Sequence, residues 1–278
     1  MPPTVPTLPL NDTHRIPATG YGTAQLDDSN APEMVGFAIE AGYRLVDTAA
    51  RYDNEVGVGR GIAQSSVDRA ELVVTTKLRG SEQGGDQARR ALENSLGRLG
   101  LDYVDIYLIH WPLPRIDKYV ESWRSMIAMR EEGMIGSIGV SNFTPAHLDR
   151  LERETGVVPA VNQIEMHLEW TQPEQRRYDR EHGIVTQSWS PLRRGGAVLS
   201  SPVLAEIADA HSVTPGQVAL RWHVQSGVVP IPASSNKERI AGNLDLFTFE
   251  LSEAEMRSLA ALDTEDRFGG DPLSHEEF

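Results

Sequence analysis

The sequence predicts an α/β protein built as a closed (β/α)8 barrel, and three observations predict it. Eight short apolar stretches recur along the 278 residues, with stripes of helical periodicity between them. No Gly-x-Gly-x-x-Gly follows the first stretch, which disfavours the alternative, an open doubly wound sheet. The stretches end in Gly22, Asp47, Lys77, His110, Ser141-Asn142, Gln163, Trp189 and Ser234. Polar or aromatic groups thus recur at nearly every strand end, and in a barrel those ends share one mouth.

The elements follow in order. Val5 to Leu10, then Asn11-Asp12, then His14 to Pro17 read as a short N-terminal hairpin. Ala18 to Thr23 reads as the first barrel strand. Met34, Phe37, Ala38 and Ala41 share one helical face, and Gly42 stops that helix. Arg44 to Asp47 is the second strand. It runs through a polar loop holding Tyr52 into a Gly-punctuated helix with Val56, Val58 and Ile62. Leu72 to Lys77 is the third strand, and Ala88, Ala91, Leu92, Leu96 and Leu99 form a long helical stripe after it. Val104 to Pro112 is the fourth, followed by a helix over Trp123 to Arg130 that Gly133 ends. Ile135 to Asn142, Ala160 to Gln163 and Ile184 to Trp189 are the next three strands, with a helix around His147 to Glu154 after the first of them. Thr214-Pro215-Gly216-Gln217 is a capping box with proline at the first helical position, and Val228 to Pro232 is the eighth strand. Ser252-Glu253-Ala254-Glu255 is a second capping box, opening a final helix through Leu262. The tail from Asp266 to Phe278 reads as a loop.

Composition bounds the function. Hydrophobic residues make up 40% and charged residues 24%, which is globular, and we expect one domain spanning residues 1–278. There is no cysteine, so disulfides and thiolate metal sites are excluded, and no metal ligand set is expected. The opening residues carry neither a basic segment nor a long apolar run. A cytoplasmic protein without membrane contact is expected. A net charge of −14 argues against nucleic-acid binding and leaves room for a small anionic ligand held by local charge.

In a barrel, Asp47, Tyr52, Lys77 and His110 come from adjacent strand ends. Tyrosine, with a pKa of about 10, is a poor acid at neutral pH, and a nearby ammonium is expected to lower that value. A carboxylate would hold the ammonium in place, and a neutral imidazole would orient a carbonyl oxygen. The set describes proton delivery to that oxygen as charge develops on it, which requires a hydride donor. Taken singly, each residue has a plainer reading. Asp47 is a turn former, Lys77 a surface lysine, His110 a rim histidine, Ser141-Asn142 a helix cap and Trp189 a core aromatic.

The motifs together resemble the aldo-keto reductase family, and within it the bacterial branch typified by 2,5-diketo-gluconate reductase. They are Gly20-Tyr21-Gly22-Thr23, Asp47-Thr48-Ala49 with Tyr52, Thr76-Lys77-Leu78, His110-Trp111-Pro112, Gly139-Val140-Ser141-Asn142-Phe143, Asn162-Gln163-Ile164-Glu165, Trp189-Ser190-Pro191-Leu192, and Ile231-Pro232 with Ser234, Arg239 and Asn243. The resemblance implies a TIM barrel, with Tyr52 as general acid, Lys77 and Asp47 as its tuning pair and His110 as the carbonyl-orienting donor. It implies that Ser141, Asn142 and Gln163 hold the nicotinamide amide and that Trp189 stacks on the ring. Ser190, Pro191 and Leu192 would line the pyrophosphate. Ile231, Ala233, Ser234, Ser235, Arg239 and Asn243 would hold the adenosine end, with Gly22, Thr23 and Asp47 also near the cofactor. Ala24, Tyr52, His110 and Trp111 would shape the substrate pocket.

The chain departs from the family pattern at several points. Ala233 stands where the family usually has a lysine that pairs with the 2′-phosphate of NADP. Arg239 remains, and Lys237 is a nearby candidate to compensate. We therefore expect NADPH as cofactor, with NADH tolerated. Arg79 replaces a frequent aromatic residue, Leu168 a frequent proline, and Ala24 a bulky aromatic. The mouth is expected to be wide, with Arg79 or Arg193-Arg194 favouring acidic or oxygenated substrates. The expected activity is NAD(P)H-dependent reduction of aldehydes, ketones or α-dicarbonyls (methylglyoxal-, phenylglyoxal- or keto-sugar-like) by a monomer. Two alternatives stay open: a nicotinamide-binding sensor or subunit with little turnover, and a Schiff-base aldolase using Lys77.

Overall fold

The computed structural model describes residues 5–277, so residues 1–4 and the last residue of the expected tail, Phe278, lie outside it. A small antiparallel hairpin, β1 (Thr7–Pro9) and β2 (Arg15–Pro17), precedes the barrel. The barrel strands are β3 (Tyr21–Gly22), β4 (Leu45–Asp47), β5 (Val73–Leu78), β6 (Val104–Ile109), β7 (Ile135–Ser141), β8 (Val161–Glu165), β9 (Val185–Trp189) and β10 (Val229–Ile231). They form one parallel eight-stranded sheet in chain order. The seam between β3 and β10 is closed by backbone bonds, Gly20 N–H to Pro230 O at 3.0 Å and Gly22 N–H to Pro232 O at 2.9 Å. The predicted barrel and hairpin are both present. The first strand is shorter than Ala18–Thr23, because the chain on either side of Tyr21–Gly22 bonds outward to β10 and β4.

The intervening helices are α1 (Ala31–Ala41), α2 (Glu55–Gln64), α3 (Gly85–Leu99), α4 (Tyr119–Glu131), α5 (Pro145–Thr155), α6 (Pro173–Glu181), α7 (Pro202–His211), α8 (Pro215–Gln225), α9 (Lys237–Gly242) and α10 (Glu253–Ala260). The longer helices each bury one stripe. On α3 the stripe is Ala88, Ala91, Leu92, Ser95, Leu96 and Leu99, the predicted face with Ser95 added. Both predicted capping boxes are made. Gln217 N–H donates to Thr214 Oγ1 at 3.2 Å, and Thr214 N–H donates to Gln217 Oε1 at 2.9 Å. Ser252 and Glu255 exchange the same pair of bonds, though α10 stops at Ala260, short of Leu262.

The two ends of the barrel differ in chemistry. At the bottom, Leu10 and Ile16 of the hairpin pack with Leu45, Ile106, Leu108, Val161 and Val229 as an apolar plug. The upper interior is polar. α2 leads directly out of the Tyr52 loop, and its Gly59 lies so close to α3 that a Cβ would sit 2.1 Å from the Leu99 carbonyl oxygen. Glycine costs helix stability at about 1 kcal/mol relative to alanine. Here it lets α2 lie flush on α3, which fixes where the Tyr52 loop begins and ends.

Candidate active site

Asp47 ends β4, and the chain turns through Ala50–Tyr52 to Asp53, which takes a left-handed conformation at φ 54°. Buried Asn54 locks this turn. Its Oδ1 accepts from Thr48 Oγ1 at 3.0 Å, and its Nδ2 donates to the carbonyls of Thr23 and Leu26 at 2.8 and 3.0 Å. Lys77, near the end of β5, is 0% exposed. Its ammonium donates to Asp47 Oδ1 at 2.6 Å, to Thr48 O at 2.9 Å and to the Tyr52 hydroxyl at 3.4 Å. His110 meets Tyr52 edge-on, with ring centroids 5.9 Å apart. The expected four residues therefore share one corner.

Electrostatics correct one expectation. Burial dominates Tyr52 and raises its pKa above the usual 10.0, and Lys77 pulls it back only in part. Lys77 itself loses stability as a cation through burial, but Asp47 and Tyr52 outweigh this and its pKa rises. The corner thus holds a protonated phenol beside a firmly charged ammonium, rather than a tyrosine poised to ionise.

Hydrogen bonds continue across the barrel. Gln163 Nε2 donates to Asp47 Oδ2 at 2.7 Å and to Gln187 Oε1 at 3.0 Å, a contact set by the register that places β8 Gln163 opposite β9 Gln187. Both amide protons of Gln163 are used, so its carbonyl oxygen is what it offers a ligand. Asn142 follows β7 at φ 64°, a conformation asparagine tolerates. Its Nδ2 donates to His110 O and Ser141 Oγ, both at 3.0 Å, and its Oδ1 accepts the Trp189 indole N–H at 2.8 Å. One side chain therefore ties the imidazole strand to the indole.

Above this floor lies a cavity of about 1050 Å³. Of the expected residues, Gly22, Ala24, Asp47, Tyr52, His110, Trp111, Asn142, Gln163, Trp189, Ser190, Pro191, Leu192, Ile231, Ala233, Ser234, Ser235, Arg239 and Asn243 line it. Thr23, Lys77 and Ser141 do not. Thr23 Oγ1 is bonded to Asp47 O at 3.1 Å and Ser141 Oγ to Gln163 O at 2.7 Å, so both sit buried beneath the floor. Lys237 is also misplaced as a phosphate contact: its ammonium lies 2.6 Å from Glu33 Oε1 on α1. Arg193 is committed to Glu169 at 2.7 Å and Asp266 at 2.5 Å, and Arg79 lies outside the cavity lining, whereas Arg194 lines it as expected.

The far arm of the cavity suits a phosphorylated ligand. Arg239 is exposed, lines the cavity and has no acidic partner among the described residues. Thr214 and Gly216 bring in the first turn of α8, where helix N–H groups favour anions. The base of the arm is fixed by Tyr21, whose hydroxyl donates to Ser234 O at 2.7 Å.

The sequence leaves open whether the tail from Asp266 folds over the pocket, and the structure shows that it does. Phe268 and Gly269 donate their N–H groups to the Glu165 carboxylate at 2.5 and 2.7 Å, and His275 stacks on Trp111 with centroids 3.9 Å apart. Glu277 reaches His110. The tail is thus a strap across the mouth. It is anchored by backbone N–H groups and by side chains whose partners lie far away in sequence, so no local pattern gives its path.

With this geometry in place, comparison with known proteins is informative. Residues 18–264 match the model of the aldo/keto reductase family. The chain is 46% identical to 2,5-diketo-D-gluconic acid reductase B of Corynebacterium sp., over 99% of each chain. It is 48% identical to an aldo-keto reductase of Mycolicibacterium smegmatis, over 96% of this chain and 97% of that one. Among solved structures it superposes on a Gox0644 mutant in complex with NADPH at a TM-score of 0.94 and 41% identity, covering 99% of this chain and 100% of that chain.

Proposed function

The chain belongs to the aldo/keto reductase family, and from that premise we propose that it is an NADPH-dependent carbonyl reductase for small aldehydes and α-dicarbonyls. Methylglyoxal-, phenylglyoxal- and keto-sugar-like compounds are the substrate class. The observation that carries this reading is the Tyr52–Lys77–Asp47 chain beside His110 at the floor of the cavity.

Bound NADPH would supply the hydride. Trp189 would cover the nicotinamide, Gln163 would accept from its amide, and Arg239 would hold the 2′-phosphate end. His110 would orient the substrate carbonyl, and Tyr52 would protonate its oxygen. Lys77 keeps a positive charge 3.4 Å from the Tyr52 hydroxyl, which favours the phenolate left after proton transfer. Asp47, buried against Lys77, offsets the cost of burying that charge.

The test is the loss of NADPH absorbance with phenylglyoxal or methylglyoxal. Stoichiometric oxidation of NADPH with formation of the hydroxy-carbonyl product supports the reading. Tight NADPH binding with no reduction of either compound would favour a sensor or subunit instead. A borohydride-trapped adduct on Lys77 without a nicotinamide requirement would point to an aldolase. The depth of Lys77, 0% exposed and bonded to Asp47, already disfavours that.

A further inference from the structure

The strap ends in a carboxylate set against the reacting corner. Glu277 is 5% exposed, with Oε1 2.8 Å from His110 Nδ1 and 4.0 Å from Arg51 Nε. The imidazole contact is close but out of line for a full hydrogen bond. Oε2 accepts the Gly80 N–H at 3.1 Å. Burial works against the charge, but His110, the Gly80 amide and Arg51 outweigh it and hold the pKa below the usual glutamate value. Glu277 is therefore an anion.

Its position is built rather than incidental. Gly80 has no side chain where a Cβ would lie 2.1 Å from the Glu277 carbonyl oxygen, so the strap backbone passes directly over it. Arg115 pairs with the neighbouring Glu276 at 2.6 Å. All of these strap residues lie beyond residue 264, where the family match ends.

We propose that Glu277 is a specificity-determining residue, placing a fixed negative charge directly behind the imidazole that orients the carbonyl, so that neutral carbonyl compounds are selected over 2-oxo acids. The inference rests on the carbonyl-reductase reading above. Glu277 is packed behind His110, whose imidazole lines the cavity, so a carbonyl oriented by His110 brings its neighbouring substituent within electrostatic range of the carboxylate. A carboxylate there meets like charge in a poorly hydrated site, where repulsion is weakly screened. A hydroxyl, aldehyde or ester meets no such repulsion. Arg51, half-exposed and 4.0 Å away, helps keep the carboxylate ionised but offsets only part of its charge.

The experiment compares kcat/KM for methyl pyruvate and pyruvate with NADPH. Glu277→Gln removes the charge, Glu277→Lys reverses it, and Glu276→Gln removes a strap charge that faces Arg115. The ester-to-acid ratio should fall by about tenfold or more in E277Q and further in E277K, while E276Q keeps the wild-type ratio. An unchanged ratio in both Glu277 variants, or an equal fall in E276Q, would overturn the proposal. Failure of wild type and E276Q to reduce even the ester would overturn the reductase reading and this inference with it.

Discussion

The two arms of the cavity are built on different principles. The corner proposed to carry the reaction is wired before any ligand arrives. Lys77 and Asp47 are buried and paired at 2.6 Å, Gln163 uses both amide protons, and Asn142 ties His110 to Trp189. The arm proposed for the cofactor phosphates is open: Ser235 and Arg239 are exposed, and the Arg239 guanidinium has no acidic partner among the described residues. Chemistry that stabilises developing charge gains from groups that need not reorganise. A cofactor that must enter and leave gains from an arm whose strongest contact forms only on binding. Substitutions in the corner should therefore damage both fold and turnover, and substitutions in the arm should alter affinity alone.

The largest effect is expected for Lys77→Met. It strands Asp47 as a buried, unpaired carboxylate, at a cost of about 3–5 kcal/mol that denaturant unfolding would measure. It also removes the ammonium that restrains the Tyr52 pKa, so that pKa climbs further and reduction slows by roughly 10²–10⁴-fold. Next is Arg239→Ala. Loss of a charge-assisted contact should weaken NADPH binding by about 10- to 100-fold by fluorescence titration, while unfolding of the free protein stays within about 0.5 kcal/mol of wild type. Equal damage to stability from both substitutions would erase the contrast between the arms.

A smaller change sharpens the description of the open arm. Ala233 lines it beside Ser234, and Lys237, held by Glu33, does not reach it. Ala233→Lys should raise the NADPH-over-NADH preference in kcat/KM by about tenfold, the worth of one charge-assisted bond.

A further effect concerns pH and lies away from the mouth. Burial raises the pKa of Asp179 from 3.8 to about 6, against opposing hydrogen bonds from Gln175, Thr186 and Asn162. The folded state then takes up this proton before the unfolded chain does, so the term adds stability as pH falls from about 6 toward 3.8. His223 runs the other way. Burial lowers its pKa from 6.5 to about 4, so stability is lost as pH falls across that interval. Each term is worth about 3 kcal/mol and the two nearly cancel. Asp179→Asn should unmask the histidine, giving a steeper loss of melting temperature between pH 6.5 and 4 than wild type shows.

What the sequence made legible follows from what leaves a side-chain signature. The barrel strands are buried on both faces and read as apolar runs, and the capping boxes at Thr214 and Ser252 read from single residues. The four residues of the corner were legible because each sits at or just beyond a strand end. α6 was not, since Pro173–Glu181 buries Gln175 and Asp179 rather than an apolar stripe. The path of the strap stayed open, since its contacts with Glu165 on β8, Trp111 and His110 join residues more than 100 positions apart and leave no local pattern. The direction of the Tyr52 shift depends on burial depth, which a list of neighbouring charges cannot supply.

The measurement that bears most directly on the central claim is single-turnover reduction of phenylglyoxal by wild type and Tyr52→Phe, with NADPH binding titrated in parallel. The account predicts that Y52F binds NADPH as wild type does and loses roughly 10²–10⁴-fold in the rate of hydride transfer, because the carbonyl oxygen has no proton donor. Hydride transfer at the wild-type rate in Y52F, with NADPH bound, would contradict it.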